Sequence, residues 1–100
     1  MAKTRTIEEE ITYLNNKISR EESLCKKLEE IYIPEARKDY NSVSKFENSE
    51  NAEDRKLYLY AAHRLAMLNS ELTNKKLDIF FDKERVHQLQ QELANGHQPE

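Results

Sequence analysis

The side chains best suited to catalysis or metal binding are three histidines and one cysteine: His63, His87, His97 and Cys25. Metal sites recruit such ligands at characteristic short spacings. None of the histidines stands at such a spacing from Cys25 or from another histidine. The pattern predicts solvated histidines, and it predicts neither a metal site nor a cofactor.

Cys25 has two interpretations. It falls at an apolar position of the helical repeat described below, which favours a small buried hydrophobic side chain. A regulatory thiol is the alternative, because the adjacent Lys26 and Lys27 would lower its pKa.

Acidic clusters are the remaining candidates for chemistry. They lie at Glu8–Glu10, Glu21–Glu22 and Glu29–Glu30, where they could supply general acids or a metal cage. General acid catalysis needs a pocket that holds a substrate, and two long helices offer none. Gly96 is the only glycine, so a glycine-rich phosphate loop is excluded. We therefore expect solvated helix faces and no enzyme.

The composition predicts a single all-α domain over residues 1–100. One glycine and two prolines among 100 residues allow few turns, so the elements must be few and long. The net charge is −3 with interspersed signs, which predicts no strong attraction for polyanions. The longest apolar stretch, Leu57 to Ala62, is too short for a bilayer. The lone cysteine excludes an internal disulfide and favours the cytoplasm.

The first helix is predicted over residues 6–46. Thr6 and Glu9 have the spacing of a capping box. A heptad seam follows at Ile7, Ile11, Leu14, Ile18, Glu21, Cys25, Leu28 and Tyr32. Pro34 predicts a kink that would divide the arm, giving three helices in all. Beyond it the seam resumes in a shifted phase at Ala36, Tyr40, Val43 and Phe46.

The second helix is predicted over residues 52–95, after a loop at 47–51 in which Ser49 or Asn51 provides the cap. Its apolar seam comprises Tyr58, Ala61, Leu65, Leu68, Leu72, Ile79, Val86, Leu89 and Leu93, with Lys75 and Asp82 as polar members. Asn95 and Gly96 predict the helix end, and a polar tail follows at 96–100 with Pro99.

The two seams match when the chain folds back on itself. Antiparallel pairing places Ile7 opposite Leu93, and Leu28 opposite Leu72. In the polar middle, Cys25 faces Lys75, and Lys75 is within diagonal reach of Glu21. The sequence predicts a long antiparallel helical hairpin, a coiled coil that pairs with a second hairpin into a four-helix bundle.

Several large apolar residues fall off the seam and predict a binding surface. The candidate partner-binding residues are Leu77, Phe80, Phe81, Met67, Leu24 and Ile31. Four further residues lie off the seam by the same count: Tyr13, Ile33, Leu59 and Tyr60. A two-helix hairpin has no second interior to cover them.

One stretch resembles a known family. Within residues 58–73, seven residues match without gaps: Tyr58, Ala61, His63, Arg64, Leu65, Ala66 and Leu68. Glu71, Leu72 and Thr73 match after a four-residue insertion, Met67 to Ser70. They resemble a helix of the small haemolysin-expression modulators (the Hha/YmoA group), and the resemblance implies a regulator associated with a nucleoid protein. The overall helical plan is also similar to that of the small acidic chaperones of type III secretion.

The expected function is a protein-protein interaction module that acts as an adaptor, chaperone or inhibitor. Its partner is another protein, or a second copy in a homodimer. The alternatives are a regulator associated with a nucleoid or DNA-binding protein, and a small acidic secretion chaperone. Direct nucleic-acid binding is not expected, because the basic pairs, such as Arg37–Lys38, are scattered and offset by acids.

Overall fold

The computed structural model describes residues 5–96, which form two long helical arms joined by a short loop. The first arm contains α1 (Ile7–Lys27), a π-helical turn (Leu28–Tyr32), α2 (Ile33–Val43) and a 3-10 turn (Ser44–Phe46); the second is α3 (Ala52–Ala94). The molecule is elongated, with extents of 71 × 30 × 15 Å. No strand occurs in the described range, which confirms the predicted all-helical class.

Side chains close the helix ends where the sequence places capping residues. The Glu9 backbone N–H donates to Thr6 Oγ1 at 3.1 Å, and the Thr6 N–H donates to Glu9 Oε1 at 2.9 Å. Asn51 accepts from two backbone N–H groups at the start of α3, so Asn51 is the cap. Gly96 follows α3 at φ 66°, a left-handed conformation that favours glycine. His97 and Pro99 lie outside the described residues.

The two arms pack side by side in antiparallel order. Four ion pairs link them, and later parts of the first arm reach earlier parts of α3: Lys17 with Asp82, Glu22 with Lys83, Glu29 with Lys76, and Asp39 with Arg64. Beneath these pairs lies a core cluster of Leu14, Ile18, Cys25, Ile79, Val86 and Leu89, joined by Ile7, Ile11 and Leu72. The apolar seams read from the sequence therefore face each other in a hairpin-like arrangement.

The first arm changes its helical phase immediately before Pro34. The Ile33 N–H donates to the Leu28 carbonyl, five residues back, so one extra residue occupies this turn. Ile33 is consequently buried at 7% exposure, whereas Tyr32 is 39% exposed. The assignment of Tyr32 to the seam and of Ile33 to the surface was wrong, because the π turn rotates every following side chain by one position.

The polar middle of the seam is organised by Lys17. Its Nζ donates to Asp82 Oδ2 at 2.6 Å and lies 3.4 Å from Glu21 Oε1, and the bond to Asp82 raises the pKa of Lys17. The expected diagonal pair of Lys75 with Glu21 was wrong, since Lys17 on the same helix reaches Glu21 first. Lys75 is half-buried and makes no ion pair with any described residue.

Replacing Lys75 by leucine should therefore stabilise the protein by about 1 kcal/mol, because an apolar side chain would fill a partly desolvated seam position. Urea unfolding followed by circular dichroism measures the change. Lys76→Leu is the matched control: Lys76 is exposed and, among the described residues, forms an ion pair only with exposed Glu29, so the free energy of unfolding of this variant should hardly change. Equal effects of the two variants would contradict the seam position of Lys75.

Candidate protein-interaction surface

The side of α3 that points away from the first arm forms a continuous exposed surface, here called the outer face. Residues three and four apart share one side of a helix, and the heptad positions opposite the seam define this set. Its members are Leu59, Tyr60, His63, Ala66, Met67, Ser70, Thr73, Asn74, Leu77, Phe80 and Phe81, and every one is exposed. Lys, Arg, Asp and Glu are absent from this set, although they make up 35% of the chain.

Large apolar side chains dominate the two ends of the outer face. Leu59 and Tyr60 are 61% and 65% exposed at one end, and Phe80 and Phe81 are each 57% exposed at the other. The two phenylalanine rings meet edge to face with centroids 5.6 Å apart. Met67 and Leu77 lie between the ends. Groups of exposed large apolar side chains of this kind are typical of interaction sites.

The structure separates the six residues predicted to bind a partner. Four of them, Met67, Leu77, Phe80 and Phe81, lie on the outer face. Leu24 is half-buried on α1, and Ile31 is 47% exposed in the π-helical turn. These last two belong to the first arm, which packs against the opposite side of α3, and they are not part of the outer face.

Two large apolar residues of the outer face were missing from the predicted partner-binding set. Leu59 and Tyr60 stand three heptads before Phe80 and Phe81, so they occupy the same two positions of the repeat. That spacing was the available signal. The small uncharged residues between them are Ala66, Ser70, Thr73 and Asn74. They are recognised as part of one surface only when the whole side of the helix is considered.

Charged side chains close the outer face at both ends. The central line of the outer face runs through His63, Ser70 and Leu77. The next residue on this line is Lys56 toward the loop and Glu84 toward the other end of α3, and both are exposed. Within residues 5–96 neither makes an ion pair. The uncharged surface is therefore bounded by one positive and one negative charge.

Cys25 does not have the environment of a reactive thiol. It is 6% exposed, and burial raises its pKa, although Lys75 and Lys76 of α3 act in the opposite direction. The proposed lowering by Lys26 and Lys27 was wrong: their side chains point to solvent, while the thiol lies in the core. Reactive cysteines need the thiolate to form readily, so this residue serves packing.

A hollow of about 430 Å³ lies between the arms beside Cys25, lined by Glu22, Cys25, Lys26, Glu29, Glu30, Lys76 and Ile79. The Glu29–Lys76 pair spans the two arms there at 3.7 Å, so the charges of its rim are partly neutralised. His63 and His87 are exposed on α3. Among the described residues, no three His, Cys, Asp or Glu side chains gather in a way that could hold a metal ion.

None of the helices within residues 5–96 contains an apolar stretch long enough to cross a bilayer. The outer face is an uncharged strip on a highly charged helix. Its width of three heptad positions matches the strip that one helix presents to another.

Comparison with protein-family models, with curated proteins and with solved structures gave no match. The local resemblance over residues 58–73 can be examined on the structure itself. Half of its residues are half-buried seam positions: Tyr58, Ala61, Leu65, Leu68 and Leu72. Any helix that packs against one neighbour needs apolar residues at that spacing, so much of the resemblance reflects helix packing.

Proposed function

We propose that the protein is a protein-protein interaction module whose outer face on α3 receives a helix of its partner. One observation carries the proposal: a row of large apolar side chains, more than half exposed, stands on an otherwise charged helix without a single charged residue among them. Leaving such a surface in water is unfavourable, and covering it would bury apolar area.

The partner helix should be amphipathic, with apolar residues at positions three and four apart. Aromatic side chains that enter a pocket commonly dominate the energy of an interface, and Phe80 and Phe81 are the natural anchors. An adaptor, a chaperone or an inhibitor would all use the face in this way. We also propose two finer details of the fold. They are the pairing of two hairpins into a four-helix bundle and a kink of the first arm at Pro34.

The partner we propose is a protein. Nucleic-acid binding uses a stripe of Lys and Arg, and the outer face has none. The single thiol, which is buried, fits a reducing compartment, so we propose that the interaction takes place in the cytoplasm.

Replacing Phe80 and Phe81 together by glutamate should abolish partner capture while leaving the protein helical. Each anchor contributes on the order of 2 kcal/mol to an interface, so the double variant should bind about three orders of magnitude more weakly. Pull-down from cell extract with mass spectrometry identifies the captured protein, and titration of that protein gives the affinity. Circular dichroism checks the helix content.

His87→Glu together with Gln88→Glu is the matched control. These residues are exposed on α3 and occupy the same heptad positions one repeat beyond the outer face. The control adds the same two negative charges, and it should capture the partner as the unchanged protein does. The proposal fails if both double variants retain the same captured proteins. Loss of helix in the Phe80 and Phe81 variant would place these residues in the core.

A further inference from the structure

We infer that the outer face pairs with the same face of a second copy of this chain, in antiparallel orientation, with a two-fold axis at Ser70. This inference rests on the proposed function of the outer face and names its occupant. Three features of the outer face support it: the order of its residues, the charges at its ends, and the area that it exposes.

The four large apolar residues at the ends of the outer face are distributed symmetrically about Ser70, whereas Met67 and Leu77 have polar counterparts in Thr73 and His63. The pair Leu59 and Tyr60 precedes Ser70 by the same number of residues by which Phe81 and Phe80 follow it. An antiparallel copy therefore brings Phe80 and Phe81 of one chain against Leu59 and Tyr60 of the other. The small residue Ser70 lies at the axis, where two helices approach each other most closely. In a parallel pair, Phe80 and Phe81 would instead lie beside Phe80 and Phe81 of the second copy, and Leu59 and Tyr60 beside Leu59 and Tyr60.

The charges that close the face select the same orientation. Lys56 and Glu84 lie equally far from Ser70 on the central line of the face. Antiparallel pairing places Lys56 of each copy beside Glu84 of the other, and so gives an ion partner to two side chains that have none within residues 5–96. Parallel pairing would place Lys56 beside Lys56 and Glu84 beside Glu84. Opposite charges across an interface fix its register and orientation.

The exposed area is in the range that a dimer needs. Six large residues of the outer face are each more than half exposed. At roughly 200 Å² for a large side chain, they present on the order of 700 Å² per copy. A specific protein interface buries about 800 Å² per partner. In a two-fold dimer the same surface of each copy forms the interface, so one dimer covers the outer face of both copies.

Disulfide trapping tests the axis directly. In a Cys25→Ala background, Ser70→Cys should form a covalent dimer under mild oxidation by oxidised glutathione, because the two introduced thiols meet at the axis. Glu84→Cys is the matched control on the same line of α3. In the antiparallel pair its two thiols would be 28 residues apart along the helices, about 42 Å, so no dimer should form. Crosslinking of both variants would overturn the antiparallel orientation.

Charge reversal tests the register without cysteine. Lys56→Glu and Glu84→Lys should each weaken dimerisation severalfold in sedimentation equilibrium at low salt, and the two changes combined should restore it. Failure of the combined variant to recover would overturn the register.

The inference and the proposed function can fail separately. A chain that stays monomeric at every concentration, and in which Ser70→Cys does not crosslink, has no second copy on this face. If that monomer still captures a protein through Phe80 and Phe81, the proposed function stands and only the inference is overturned. If the monomer captures no protein, or captures the same proteins as the Phe80 and Phe81 double variant, both the inference and the proposed function are overturned.

Discussion

Replacing Leu28 by alanine should lower the free energy of unfolding by about 2–5 kcal/mol. Leu28 is only 2% exposed and is the first residue of the π-helical turn. Its truncation would leave a cavity that neighbouring side chains could fill only if the backbone of this turn moved. Small domains are stable by only about 5–15 kcal/mol, and the variant should therefore be close to unfolding at 37 °C. Urea unfolding followed by circular dichroism gives the value.

Ile31→Ala is the control from the same turn. Ile31 is 47% exposed, so its truncation should change the free energy of unfolding by no more than about 0.5 kcal/mol. If the two variants were equally costly, the first arm would not face α3 through Leu28.

Deleting Glu30 should destabilise the protein by about 3 kcal/mol, and adding Pro34→Ala to the deletion should recover most of that loss. The deletion removes the extra residue of the π turn. The chain must then either hold Pro34 within a regular α-helix, which costs about 3 kcal/mol, or turn the buried Ile33 and Ala36 away from α3. Without the proline, a continuous α-helix would keep both residues in the seam.

Thermal and urea unfolding of three variants measures this effect: the deletion, Pro34→Ala, and the two combined. Pro34→Ala alone should cause little change, because the spacing from Leu28 to Ile33 still requires a wide turn. If the combined variant were no more stable than the deletion, the proline and the π turn would be unrelated, and the account of the phase change would be wrong.

The hairpin-like fold could be predicted because it follows from local rules. Thr6 and Glu9 have the chemistry of a capping box, Asn51 that of a helix cap, and the seven-residue repeat of α3 has a single consistent phase. Pro34 and the shifted repeat beyond it also pointed to an irregular turn. The repeat does not show which residue is the extra one. The sequence therefore placed Tyr32 in the seam and Ile33 on the surface, whereas the structure has the reverse. That choice depends on which backbone carbonyl the Ile33 N–H reaches, a detail outside any pattern of residue types.

The candidate surface could be predicted only in part. A heptad repeat says which residues lie off the seam, and this was enough for Phe80 and Phe81. It does not say how two arms share the remaining sides of the molecule. For that reason Leu24 and Ile31 were grouped with residues of the other arm. Leu59 and Tyr60 are recognised as part of the surface only when α3 is considered as one complete helix with an uncharged side.

The antiparallel arrangement of the arms also determines how the molecule would respond to mechanical load. Ile7 and Glu92 line the same hollow at the end of the molecule opposite the loop. A pulling force applied at these two residues would separate the arms one layer at a time, so each step would break few contacts and the force needed should be low. A force applied between the loop and either residue would act along the helices and load every layer at once. The same core would therefore be weak to unzipping and strong to shear.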